Sequence, residues 1–237
     1  MLSPGPIRAA ADPTVVLSPL LGIPYRNDGV TDPAGRFTLF ADPAATFTKP
    51  GLNCSGFVVT ASRALLGRPL DIAATARDRK GDSGPTSPRG QDWDFGYDLI
   101  LNITDGLPRQ VLVPDGSSPN PDAADPADLR GFPLHDTTAW AAVLPRIRPG
   151  RLVLASLSKV AGGRLLFYHV GLLVADPAGR IWFYQATPGQ GVHRLELDTP
   201  AGLAALGREF AKKKFGDKRI LLLAVPLPPS RSLRTVP

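Results

Sequence analysis

The chain holds one cysteine, Cys54, in the stretch Gly51-Leu52-Asn53-Cys54-Ser55-Gly56-Phe57. Behind it, Phe57, Val58, Ala61, Leu65 and Leu66 recur at three- and four-residue spacing until Gly67, which predicts a helix opening at the thiol. Unpaired N–H groups and aligned peptide dipoles at a helix start favour a thiolate over a thiol, the condition for a nucleophilic cysteine near neutral pH. A free cysteine is also among the most buried residue types. Catalysis therefore requires partners elsewhere in the chain.

A thiolate that attacks an amide needs an imidazole to take and return a proton, and a third polar group to hold that ring in one tautomer. His169 lies in the apolar strand pattern Tyr168-His169-Val170-Gly171-Leu172-Leu173-Val174, where a polar ring is either a base or a hydrogen-bonded core histidine. Asp176-Pro177-Ala178-Gly179 predicts a hairpin turn after this strand. If Ala175 pairs with Ile181, Gly171 lies opposite Gln185, and Gln185 comes diagonal to His169 on the same face. Its amide oxygen can then accept from one ring N–H and leave the other nitrogen for Cys54. A one-residue slip would put Gln185 on the opposite face. His193 and His135 are the alternatives, one on a later strand and one in a long polar segment.

The elements that must position these groups follow from periodicity and turn chemistry. Residues 1–19 are rich in Pro, Ala and Ser and read as an extended arm, and 20–237 as one domain. The segment 78–136 is dominated by Gly, Pro, Asp and Ser, with apolar islands at 97–103 and 110–113, and reads as an insertion packed on or beside the site. Asp136 or Thr137 can cap a short helix. Strands are expected over 152–157, 165–175, 180–186, 192–197 and 220–227. Thr199-Pro200 should start a helix running to about Lys214, with cations in its last turn. One helix bearing the nucleophile, followed by an antiparallel sheet of about five strands, is an α+β architecture.

Composition narrows the alternatives. A chain of 237 residues, 43% hydrophobic and 20% charged, is an ordinary globular composition. A lone cysteine excludes an intramolecular disulfide, and three histidines without paired ligand spacing point to no metal and no other cofactor. The formal charge of +6 is mostly scattered arginine; Lys212-Lys213-Lys214 is one cluster without a nucleic-acid recognition motif, which reads as a solvated helix end. No apolar run approaches the ~20 residues of a membrane span. No leader peptide is visible at the N-terminus, which leaves a cytoplasmic protein or one whose leader has been removed. Gly81-Asp82-Ser83-Gly84-Pro85 has the look of a trypsin-like nucleophile loop, but no companion His–Asp pair precedes it.

Four pieces in sequence order resemble the NlpC/P60 cysteine peptidases of the papain-like group. They are Gly22-Ile23-Pro24-Tyr25 with Gly29, Asn53-Cys54-Ser55-Gly56-Phe57, Arg148-Pro149-Gly150-Arg151-Leu152-Val153, and His169-Val170-Gly171-Leu172 continuing to Tyr184-Gln185-Ala186. The resemblance implies a papain-like fold, with Cys54 as nucleophile, His169 as base and Gln185 as the orienting group. It places Tyr25, Asn53, Ser55 and Gly171 along the substrate. It also implies hydrolysis of amide bonds in peptidoglycan stem peptides through an acyl-thioester, in the bacterial periplasm or envelope. The chain departs from the family's usual pattern in Asn53 and Arg151, where Asp is common, in Gln185, where His is common, and in the length of 78–136. A catalytically degenerate wall-binding module and a thiol acyltransferase are the competing readings.

Overall fold

The computed structural model describes residues 12–81, 92–211 and 217–229. In chain order the elements are α1 (Pro13–Leu17), β1 (Gly29–Thr31), β2 (Phe37–Leu39), α2 (Cys54–Leu66), α3 (Ile72–Thr75), α4 (Phe95–Ile103), β3 (Gln110–Val111), β4 (Phe132–Pro133), α5 (Thr137–Val143), β5 (Arg151–Ala161), β6 (Arg164–Ala175), β7 (Ile181–Thr187), β8 (Gly191–Glu196), α6 (Pro200–Glu209) and β9 (Lys218–Pro226). This is an α+β protein built on an antiparallel sheet. The strands run β3-β9-β5-β6-β7-β8, with β4 also paired to β9, and β1-β2 form a separate small ribbon.

Alternation along the central strands explains the layering. Leu221, Leu223 and Val225 of β9, with Leu152 and Leu154 of β5, face one core; Ile220, Leu222 and Ala224, with Val153, Ala155 and Leu157, face the other. The sheet is therefore buried on both sides, which is why β9 is an unbroken apolar run. α2 and α4 fill the first core, and α5 with α6 fills the second, where Trp140 meets Phe132 edge-on at 5.1 Å.

α2 is the central helix. Twelve of its residues follow Cys54, and all except Arg63 are buried, as expected of a helix packed all round. Asn53 caps its start, with Oδ1 accepting from Gly56 N–H at 2.7 Å, and Gly67 ends it in the left-handed region at φ 63°. Its first turn lies directly on β1, where Asn53 N–H donates to the Gly29 carbonyl at 3.0 Å. A Cβ at Gly56 would stand 1.8 Å from that same carbonyl oxygen, so only glycine lets the helix start approach so closely.

Several expectations are corrected. The sheet has seven strands, because the outer edge of β9 is covered by the short β3 and β4, an arrangement that protects an otherwise open edge. The expected extended arm folds from residue 12 onward: Asp12 caps α1, and Leu17 and Leu20 are 0% and 2% exposed in the first core. Within the segment 78–136, expected to pack on or beside the site, α4 packs beside α2, and Phe167 N–H of β6 donates to the Trp93 carbonyl at 2.6 Å. Arg109, its side chain 7% exposed, holds Thr104, Asp105 and Asp122 together within this segment. α6 stops at Glu209, short of the expected end at about Lys214; residues 212–214 and 82–85 lie outside the described residues. No described helix is long and apolar enough to cross a membrane.

Gly56→Ala forces a methyl into backbone that cannot rotate away, and should cost about 3 kcal/mol in urea unfolding. Gly67→Ala strains only the cap and should cost about 1 kcal/mol. Equal losses would mean that the contact between α2 and β1 is looser than described.

Candidate active site

The thiol is placed by two extended pieces that run side by side. Leu52 N–H donates to the Pro24 carbonyl at 3.1 Å and Arg26 N–H to the Leu52 carbonyl at 3.2 Å, forming a parallel bridge between Tyr25 and Leu52. On its other side the same segment is stitched to β8, with Gly22 N–H donating to the Val192 carbonyl and Val192 N–H to the Ile23 carbonyl at 2.9 and 2.8 Å. Tyr25 thereby comes against Cys54. Burial and the nearby thiolate both hold its phenol above the ordinary range, so it stays a neutral hydrogen-bonding hydroxyl.

His169 is placed by the β6-β7 hairpin. Ala175 pairs with Ile181 and the ladder continues to Leu172 opposite Tyr184, the register expected from the turn. There the ladder stops: β7 goes on pairing with β8, putting Gln185 opposite His193, while β6 goes on pairing with β5. Gly171 and Gln185 are therefore not a ladder pair. The two strands part beside Cys54, and the Val170 N–H at the opening helps hold the thiol pKa down. Gly171 is needed for packing, since a Cβ there would stand 2.6 Å from the Phe183 ring.

His169 is 8% exposed and Gln185 fully buried, and His169 Nε2 lies 2.7 Å from Gln185 Oε1. Gln185 Nε2 donates to Glu209 Oε2 at 2.9 Å. A carboxylate accepts only from a donor, so the Glu209 contact fixes which end of the amide faces which way. The amide oxygen consequently faces His169, Nε2 carries the hydrogen, and Nδ1 is left for Cys54. Phe210 covers the ring at 5.1 Å between centroids.

Cys54 is half-buried. Burial pushes its thiol up, but the hydrogen bond and charge of His169, with the Val170 N–H and the Ser55 hydroxyl, bring it down to about 7. Ser55 Oγ lies 3.9 Å from Sγ. Asn53 has its side-chain oxygen committed to the helix cap, so its observed contact is structural.

The structure thus brings together Cys54, His169, Gln185, Tyr25 and Ser55, and places Asn53 and Gly171 in supporting packing. His135 sits apart, near Gly207 of α6. His193 is behind Gln185, with Nε2 3.1 Å from Glu209 Oε1 and Nδ1 3.0 Å from the Gly191 carbonyl. Among the described residues no group of three or more His, Cys, Asp or Glu could hold a metal ion. Glu209 and Phe210 escaped the sequence reading. The one available signal was an acidic residue in the last turn of a helix, where the dipole disfavours it.

No family model and no curated protein matches the chain. Among solved structures it is similar to the Pseudomonas avirulence protein AvrPphB, with a TM-score of 0.32 and 13% identity over 65% of this chain and 68% of that one. The likeness to NlpC/P60 peptidases rests on the four sequence pieces alone.

Iodoacetamide alkylation of Cys54 should rise with a midpoint near pH 7, against about 8.5 for a free cysteine. Because the folded thiol ionises below the unfolded one, its thiolate contributes stability that is fully present above about pH 8.5 and is lost as pH falls through about 7. His169→Ala should move the midpoint up, burial then acting without its counter-charge; an unmoved midpoint would show that His169 does not activate the thiol.

Proposed function

We propose that the chain is a papain-like cysteine hydrolase that cleaves amide bonds through an acyl-thioester on Cys54. The observation that carries this reading is the row Cys54, His169, Gln185, in which the amide orientation fixes the imidazole tautomer.

In the proposed cycle the Cys54 proton passes to His169 Nδ1, and Sγ attacks the substrate carbonyl carbon. The oxyanion forms at the start of α2. There Gly56 N–H is taken by the Asn53 side chain and Phe57 N–H by the Asn53 carbonyl. Cys54 and Ser55 N–H, in the same first turn, have no preceding helical turn to bond to and are the donors suited to the developing charge. Collapse breaks the C–N bond, with His169 returning its proton to the leaving amine. The base then takes a proton from water, which attacks the thioester and releases the acid with Cys54 restored. The Tyr25 hydroxyl, kept neutral, is placed to hydrogen-bond a substrate carbonyl.

Peptidoglycan stem peptides, and with them a cell-envelope location, are the substrate class suggested by the four motif pieces. Purified protein incubated with whole peptidoglycan should release stem fragments detectable by mass spectrometry, and Cys54→Ala should abolish release, with a loss of at least ~10³-fold. Casein and denatured protein substrates serve as the second arm. Cleavage of these but not of peptidoglycan would keep the hydrolase and replace the substrate, whereas no Cys54-dependent cleavage of any of them would sink the assignment.

A further inference from the structure

Behind the Cys54, His169, Gln185 row, the C-terminal end of α6 and the strand β8 bring two more titratable groups onto the same network. Glu209 receives Gln185 Nε2 on one carboxylate oxygen at 2.9 Å and faces His193 Nε2 with the other at 3.1 Å. Its position is electrostatically unusual: the last turn of a helix carries negative partial charge and disfavours a carboxylate. Two donors converging on it, with side chains only 15% and 16% exposed for Glu209 and His193, compensate for that position. The residue that follows, Phe210, lies against the His169 ring. The end of α6 therefore touches both the base and the group that orients it.

We infer that Glu209 is the positioning residue of this site, setting the direction of the Gln185 amide and through it the tautomer of His169, with His193 holding the Glu209 carboxylate in place. This rests on the hydrolase reading above and deepens it. The physical reason is the symmetry of an amide. Left alone, Gln185 can present either its oxygen or its NH2 to His169, and only the oxygen stabilises an imidazolium beside the Cys54 thiolate. A reversed amide would put an oxygen against the Glu209 carboxylate and an NH2 against His169 Nε2. That arrangement would push the ring hydrogen to Nδ1, where it faces the thiol and cannot receive its proton.

His193 supports the same polarity. Its Nδ1 faces the Gly191 carbonyl and its Nε2 the Glu209 carboxylate, so both nitrogens have acceptors, an arrangement that favours the protonated ring. Burial works against this, but the contacts with Glu209 and the Gly191 carbonyl raise its pKa above the ordinary value. Gln185 Nε2 also lies 3.3 Å from His193 Nε2, a longer contact than its 2.9 Å bond to Glu209, so the carboxylate is the main partner of the amide nitrogen. Tyr25 from the 22–29 segment and Ser55 from α2 thus face Cys54, Gln185 from β7 faces His169, and Glu209 from α6 and His193 from β8 stand behind Gln185.

The test reads the thiol rather than turnover, so it is independent of which substrate is used. The pH midpoint of Cys54 alkylation is measured in the full chain for wild type, Glu209→Gln, Glu209→Ala and the double exchange Gln185→Glu with Glu209→Gln, with thermal unfolding followed for each. Wild type should titrate near pH 7. Glu209→Gln, which offers an amide that can face either way, should raise the midpoint by about one unit, a roughly tenfold loss of thiolate at low pH. Glu209→Ala should raise it at least as far. The double exchange puts a fixed acceptor against His169 and should return the midpoint to the wild-type value or lower, a rescue that a purely structural role would not produce. Midpoints unchanged in folded Glu209→Gln and Glu209→Ala proteins would overturn the positioning role while leaving the hydrolase reading intact. A wild-type midpoint at the ordinary cysteine value would overturn both, and so would failure of the exchange to rescue if wild-type activity also survives Cys54→Ala.

Discussion

The 2.7 Å hydrogen bond between His169 Nε2 and the Gln185 amide oxygen is the contact on which the site depends. It turns a buried imidazole, which could otherwise be a satisfied core histidine, into a ring with one nitrogen committed and the other directed at a thiol. With the amide ends fixed by Glu209, this bond sets the tautomer that leaves Nδ1 for Cys54. It exists because two long strands pair as far as Leu172 and Tyr184 and then diverge. A hairpin paired all the way would have taken the Val170 N–H into its ladder and closed the space in which Cys54 sits.

Cys54 is held with comparable stiffness by different means. α2 is covered on nearly every side, so its axis is set by packing, and its first turn is pinned on β1 by the Gly29 and Gly56 backbones in direct contact. The chain around Tyr25 is bonded to Leu52 on one side and to Val192 of β8 on the other. The helix start and the sheet are therefore linked through a third piece of backbone. Placing a thiol to within fractions of an ångström of its base requires this kind of backbone support, because a side chain on a loop would lose the geometry to thermal motion.

The segment 78–136 shows how composition can mislead about architecture. Its glycines, prolines and aspartates describe connections, but the apolar islands within it form α4 and a sheet edge that belong to the core. Arg109 and Arg79, with Asp105 and Asp122, join its parts to one another through partly exposed ion pairs. α4 runs beneath the β6 strand that carries His169, with Gly96 against Val170 and Phe167. The segment supports the site from below the sheet.

Local chemistry was legible in the residues themselves. The start of α2 at Cys54 and its end at Gly67, the caps at Asp136 and Thr199, and the register of the 176–179 turn all depend on neighbours three or four positions away, and such neighbours are written in the spacing. The α+β class and the nearness of Gln185 to His169 follow from the same short-range rules. What only the tertiary structure decided is which distant pieces meet. β9 lies between β5 and the β3 and β4 edge, α1 packs into the first core, the hairpin opens beyond Leu172, and Glu209 arrives behind Gln185 from a helix about twenty-four residues further on. No periodicity records these meetings, because each is chosen by the burial of two faces of one sheet at once, a property of the folded chain and not of any window within it.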